Sequence, residues 1–241
     1  MMKESQAREE ICRVGKSLFD RGYVHATAGN ISVRLDETDG GGFLITPTDA
    51  CLGFLDPARL ARLDRDAQQI SGDKHSKTIV LHRHIYAASA DTANPAGCVI
   101  HTHSTHCVAL TLDSTAWGYA ASGGIRHSFE HSAELLPALT PYFVMKVGRV
   151  PLIPYHRPGD PAAAELVAQR IAQYAAKGTP IRAVMMQHLG PNVWHDTPAA
   201  AMATLEELEE TAKLFSLSPQ PTPTLTAQQI DELKSVFGAN W

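Results

Sequence analysis

No apolar run in this chain approaches the roughly 20 residues that a membrane-spanning helix needs, which excludes a helical membrane protein. Basic charge is not in excess either. Lys and Arg number 21 against 25 Asp and Glu, a net charge of −4 with histidine neutral. No basic stripe or aromatic-plus-arginine cluster stands out, so nucleic acid is not an expected partner. Cysteine is sparse: Cys12, Cys51, Cys98 and Cys107 are scattered and form no C-x-x-C pair. In a chain of this length they read as reduced, mostly buried thiols, which favours the cytoplasm. The opening Met-Met-Lys-Glu-Ser-Gln-Ala-Arg-Glu-Glu is polar and charged, unlike a secretory signal. No internal repeat is visible.

What is present fits a compact α/β protein. The 241 residues are 44% hydrophobic and 19% charged, enough for one domain with a tail. The most informative stretch is Cys98-Val99-Ile100-His101-Thr102-His103-Ser104-Thr105-His106-Cys107. It begins as a β-branched strand and then presents three histidines. Side chains two apart on a strand share a face, so His101 and His103 project together and can bind one metal ion through neutral imidazoles. His106, just past the strand, is a third ligand, a supporting group or a helix-start residue. The plain alternative is a strand that carries histidines without a metal. Cys98 and Cys107 flank the cluster, and either burial or thiolate ligation accounts for them.

In chain order, residues 5–21 carry a helical apolar stripe stopped by Gly22. A small-residue turn at 26–30 leads into an alternating strand, and exposed amides there suit an anion. Gly40-Gly41-Gly42 reads as a hairpin connection returning through Phe43-Leu44-Ile45-Thr46. A short capped helix at 55–60 and a strand–turn–strand piece at 63–70 follow. Lys74 and Lys77, with Ser76 between them, form a candidate phosphate clamp before a helix that turns Ile79, Leu81, His82, Ile85 and Tyr86 inward. Ser104 to Leu112 is the next expected helix, and 113–135 a long loop holding His127, Glu130 and His131. Thr140–Lys146 and Val150–Tyr155 read as strands, 161–177 as a helix, and 181–188 as a buried strand that a hairpin continues. Residues 198–217 form a long helix on which Glu206, Glu207, Glu209 and Glu210 read as a solvated face. The expected domain spans 5–217, with 218–241 a Pro-rich linker and a last helix capped by Thr226.

Four segments together carry a family resemblance: Ala28-Gly29-Asn30-Ile31-Ser32-Val33-Arg34, Ile45-Thr46-Pro47-Thr48, the His101-to-His106 stretch and the helix from Glu206 to Leu214. The chain resembles the class II aldolase/adducin family from about residue 8 to 217. Gly53-Phe54-Leu55-Asp56-Pro57 and Pro154-Tyr155-His156-Arg157-Pro158-Gly159-Asp160-Pro161 look most like its 3-oxo-tetronate 4-phosphate decarboxylases. The resemblance implies a three-layer α/β/α sandwich around a largely antiparallel sheet, assembled as a homotetramer with active sites between subunits. It implies a divalent metal, Zn²⁺ first and Mn²⁺ second, acting as a Lewis acid on a small phosphorylated sugar acid. His101 and His103 match two metal ligands. Asn30, Thr48, Ser76 and Lys77 match positions that hold the substrate phosphate, and Tyr142 matches a proton donor that reaches an adjacent subunit.

Two positions depart from the pattern. Thr78 stands where the family has its catalytic glutamate, and a threonine cannot act as a carboxylate base. Leu189 stands where the third ligand histidine belongs, and His188 lies one place earlier, facing the other way unless the strand bulges. His188, His106 or a loop histidine (His127, His131) is the expected third ligand. The functional expectation is a metal-dependent carbon–carbon lyase, decarboxylating in preference to cleaving an aldol. The alternatives are a sugar-phosphate aldolase or a non-catalytic binding or scaffold protein.

Overall fold

The computed structural model describes residues 2–112, 134–219 and 221–241. His127, Glu130 and His131 lie outside the described residues. An eight-stranded sheet runs through the middle: β1 (Asn30–Arg34), β2 (Phe43–Ile45), β3 (Ala61–Leu63), β4 (Gln69–Ser71), β5 (Cys98–His101), β6 (Leu152–Ile153), β7 (Ala183–Met186) and β8 (Gly190–His195). Their spatial order is β4-β3-β2-β1-β5-β8-β7-β6. Every neighbouring pair is antiparallel except β6 with β7.

Helices cover both faces, giving the three layers expected. On one face α1 (Glu4–Asp20), α3 (Thr105–Leu112) and α5 (Pro198–Leu217) pack over the sheet, and on the other lie α2 (Ile79–Ser89) and α4 (Pro161–Ala176). The alternation of the strands decides which residue meets which layer. In β5, Cys98 and Ile100 join the α1/α5 core while Val99 joins the α2/α4 core, and His101 follows Val99. In β8, Val193 faces α1 and α5, whereas Trp194 and, by the same period, Asn192 face α2 and α4. The stripe of α1 puts Ile11, Val14 and Leu18 wholly out of water, each worth about 1.5–3 kcal/mol of burial.

Two expectations about elements are corrected. Thr140–Lys146 is not a strand but a helical turn, π-helical over Phe143–Val147. Its β-branched and aromatic composition suits a strand, yet the Thr140 hydroxyl accepts the Phe143 N–H at 3.0 Å, and Pro141 follows where a missing N–H costs nothing. The strand expected over 150–155 shrinks to Leu152–Ile153, because Pro151 and Pro154 on either side cannot donate to a ladder.

The last helix, α6 (Ala227–Phe237), has the expected Thr226 cap, completed into a capping box by Gln229. It packs on its own chain. Leu233 is buried against Ala138 and Val144 of the helical turn. Trp241 meets Phe143 edge-on at 5.7 Å and lies under the Arg149 guanidinium at 5.0 Å.

Candidate active site

The site assembles where β1, β5 and β8 end together. In the register of the sheet Asn30, His101 and Asn192 are direct neighbours on three adjacent strands. Residues directly opposite one another share a face, so all three side chains address the α2/α4 side. Next to Asn30, the Thr46 N–H donates to Ile31 O at 3.0 Å, and the Thr46 hydroxyl accepts the Ile31 N–H at 3.2 Å. The loop after Thr46 is then tied to the segment before α2: Thr48 N–H donates to Lys74 O at 2.8 Å, and Ser76 N–H to Thr46 O at 3.3 Å. One continuous backbone path thus places Asn30, Thr48, Ser76 and Lys77 on segments bonded in sequence to the histidine strand. Thr48 and Lys74 share a cavity of about 470 Å³ with Arg59 and Asp73. Lys77 is exposed and Ser76 half-buried.

The two histidines converge. His101 Nε2 and His103 Nε2 stand 3.1 Å apart. A carbonyl oxygen only accepts, so the 2.8 Å contact between His101 Nδ1 and Pro191 O makes Nδ1 the protonated nitrogen and leaves the Nε2 lone pair free. Burial first, and then the neighbouring His103, push His101 down to about 4, against the opposing pull of the Pro191 carbonyl. Burial and the charge of His25 lower His103 as well. Both imidazoles are therefore neutral at pH 7, the form that binds a metal.

Beneath them, under α2, His82 is fully buried. Its Nδ1 lies 2.7 Å from Ser32 Oγ, which in turn meets Tyr86 Oη at 2.8 Å. Burial and the charge of His101 push His82 down to about 3.

As a metal site the pair fits two ligands of a divalent ion. Among the described residues no group of three or more His, Cys, Asp or Glu side chains is positioned to hold one. His188 does not join the pair. Its backbone is left-handed (φ 62°), the residue is exposed, and its ring lies edge-on to Tyr155 with centroids 6.2 Å apart. Leu189, at the family's ligand position, is half-buried and packs with the α2/α4 core. Gly190 follows with φ 109°, so close to the segment between the histidines that a Cβ there would meet Thr102 O at 2.5 Å. Thr78 begins α2 without capping it, and its hydroxyl bonds Ser76 Oγ at 2.8 Å. Tyr142 is 61% exposed at the start of the helical turn.

The Glu209 expectation is corrected. It is 3% exposed, not solvated. Its carboxylate accepts the backbone N–H groups of His106 (2.9 Å) and Cys107 (3.0 Å), and His106 Nδ1–H at 2.8 Å. Burial works to raise its pKa, but these donors at the start of α3 hold it below the ordinary carboxylate value. His106 thus lies in the first turn of α3, bonded to Glu209 through its backbone N–H and its Nδ1. Cys98 and Cys107 are buried free thiols, pushed up by burial, and neither is poised to ligate a metal.

Sequence reasoning missed His25 and Asn192. The turn before Asn30 signalled the first, whereas the second becomes visible only through the β5–β8 register.

The chain has relatives along its whole length. The chain is 49% identical over 247 residues to a 3-oxo-tetronate 4-phosphate decarboxylase of Cupriavidus necator, covering all of both proteins. It is 41% identical to the protein of that name from Escherichia coli K12, covering 96% of this chain and 97% of the relative. The crystal structure of Escherichia coli YgbL superposes with a TM-score of 0.76 at 38% identity, over 96% of this chain and 99% of that one. An L-fuculose 1-phosphate aldolase shares the fold at 20% identity and a TM-score of 0.72, over 98% of each chain. With residues 9–216 matching the class II aldolase and adducin N-terminal domain, the chain belongs to that family.

Proposed function

We propose that this protein is a metal-dependent carbon–carbon lyase that decarboxylates a small phosphorylated 3-oxo sugar acid of the 3-oxo-tetronate 4-phosphate type. The observation that carries the reading is the convergence of two neutral imidazole nitrogens, His101 Nε2 and His103 Nε2, in a chain that aligns end to end with decarboxylases of that name. When bound, a divalent cation, Zn²⁺ or Mn²⁺, supplies Lewis-acid stabilisation of the negative charge that develops as the bond to the carboxylate breaks.

The chain's own residues do the rest. Asn30, Thr48 and Ser76, on segments laced together by backbone hydrogen bonds, hold the phosphate with Lys77 and Lys74 as counter-charges. Thr78 keeps Ser76 oriented through its hydroxyl. In the proposed homotetramer, Tyr142 extends from its exposed turn toward a neighbouring copy's site and returns a proton to carbon after CO₂ has left. Loss of CO₂ requires an electron sink but no base to remove a hydroxyl proton, so threonine at position 78 is compatible with decarboxylation and not with aldol cleavage. The four free cysteines accord with a cytoplasmic setting. Among the described residues no helix is long and apolar enough to cross a membrane.

The test is CO₂ release from 3-oxo-tetronate 4-phosphate by metal-loaded protein. Turnover that disappears in His101→Ala/His103→Ala supports the reading, and its absence in the natural chain counts against it. The second reading, a non-catalytic binding protein, is favoured by Thr78 and Leu189. Activity that appears only in the Thr78→Glu/Leu189→His double variant would select it.

A further inference from the structure

The described part of the centre offers two imidazoles and no third His, Cys, Asp or Glu donor, yet a catalytic zinc-type site ordinarily has three protein ligands. Asn192 stands beside this gap. It is the residue directly opposite His101 across the β5–β8 ladder, it shares the face of His101, and it is 0% exposed. Neither Oδ1 nor Nδ2 of its carboxamide has a hydrogen-bond partner among the described residues. A buried amide left without partners on both atoms is costly, and an apolar side chain of similar shape would remove that cost. On the opposite flank of His101, Asn30 repeats the pattern: it is 6% exposed and its Oδ1 is unpartnered. The face around His101 therefore holds buried polar atoms without partners among the described residues.

We propose that Asn192 is a ligand residue of this chain's metal centre, its carboxamide oxygen supplying beside His101 the donor that Leu189 does not. Leucine at 189 removes a nitrogen donor from the turn, and three residues later asparagine places an oxygen donor next to the first histidine. Two imidazoles and an amide oxygen make a harder donor set than three imidazoles. Such a set shifts preference toward Mn²⁺ relative to Zn²⁺. The inference rests on the metal-binding part of the proposed function and not on the identity of the substrate.

The test is titration of the metal-free protein with Mn²⁺ alone, read by the electron paramagnetic resonance of the free ion. Asn192→Val should weaken Mn²⁺ binding by about 10-fold or more. Its melting temperature without metal should be equal or higher, since an unpartnered amide has gone. Asn192→Asp, which keeps the shape and adds charge, should bind Mn²⁺ more tightly than the natural chain. Equal Mn²⁺ affinity in the natural chain and Asn192→Val would overturn the inference. A natural chain that binds no Mn²⁺ overturns it as well. Binding that depends on Asn192 in a protein without decarboxylase activity would uphold it while removing the lyase reading. Turnover with metal affinity indifferent to Asn192 would do the reverse.

Discussion

Two helices begin at the site, and they treat the positive end of their backbone differently. At α3 the N–H groups of His106 and Cys107 are taken by the buried Glu209 carboxylate, an anion supplied from within the fold. At α2 no carboxylate approaches: the Thr78 N–H reaches Ser76 Oγ at 3.4 Å, the next two amides turn back to Ser76 O and Lys77 O, and Lys77 itself is exposed. The same electrostatics is used twice. Closed by a glutamate, it fixes the segment that carries the histidines. Without a carboxylate, it is the side that the proposed phosphate would use. On the proposed reading the first helix start backs the metal side and the second the anion side, and the predictions below are ways of breaking one without the other.

The largest effect belongs to the metal side. His101→Ala/His103→Ala should lower bound metal to background and turnover by about 10³-fold or more, because Lewis-acid stabilisation contributes several kcal/mol. Elemental analysis beside the activity assay checks it, and binding of inorganic phosphate to the variant should persist if the two sides are separable.

Next comes the closed helix. Glu209→Ala leaves two buried N–H groups and His106 without their acceptor, and should cost about 2–4 kcal/mol in urea unfolding. The sign with pH is set by the lowered carboxyl pKa. The Glu209 contribution is complete above the ordinary carboxylate range and is lost as pH falls through the depressed folded value. The buried imidazoles add a second window. His82 (about 3) and His101 (about 4) bind protons less readily folded than unfolded, so stability should already decline as pH drops from about 6.5 toward 4. Urea midpoints of the metal-free protein at pH 7, 6, 5 and 4 should show both windows, and a Glu209→Gln variant should flatten only the lower one.

These effects bear on what could be read in advance. The layers were legible because each strand alternates and each helix carries a stripe, so Val99 and Ile100 or Ile11 and Val14 announce their sides. His101 and His103 were legible because a two-residue period needs no knowledge of neighbours. Glu209 was not: on its helix it looks like Glu206 and Glu210, and only the approach of α3 makes it internal. Asn192 was hidden for the same reason, since an asparagine in a short strand has no meaning until the ladder sets it against His101. Thr140–Lys146 misled because local composition favoured a strand while one hydroxyl cap and one proline favoured a turn.

On the open side the expected effects are smaller. Lys77→Met should weaken a phosphorylated ligand by about 10- to 150-fold, the equivalent of about 1.5–3 kcal/mol for a hydrogen bond to a charged group, with metal content unchanged. Because Lys74 and not Lys77 lines the cavity with Thr48, Lys74→Met in parallel decides which lysine carries the contact. Calorimetry with a tetronate 4-phosphate reads both, and equal affinity in all three proteins would make the pair solvated loop lysines. The smallest effect lies outside the comparison: Thr226→Ala should cost about 1 kcal/mol by removing the α6 cap, and should leave ligand and metal binding untouched.

Gly190 bears on what a different side chain at position 189 would meet. The glycine seats the β7–β8 turn directly on the backbone between the two histidines, so the turn and that segment keep their spacing whatever side chain precedes it. The histidine that the family resemblance implies there is absent, but the backbone that would present it is in place. Installing a third histidine is then a matter of one side chain at Leu189 and not of rebuilding a loop.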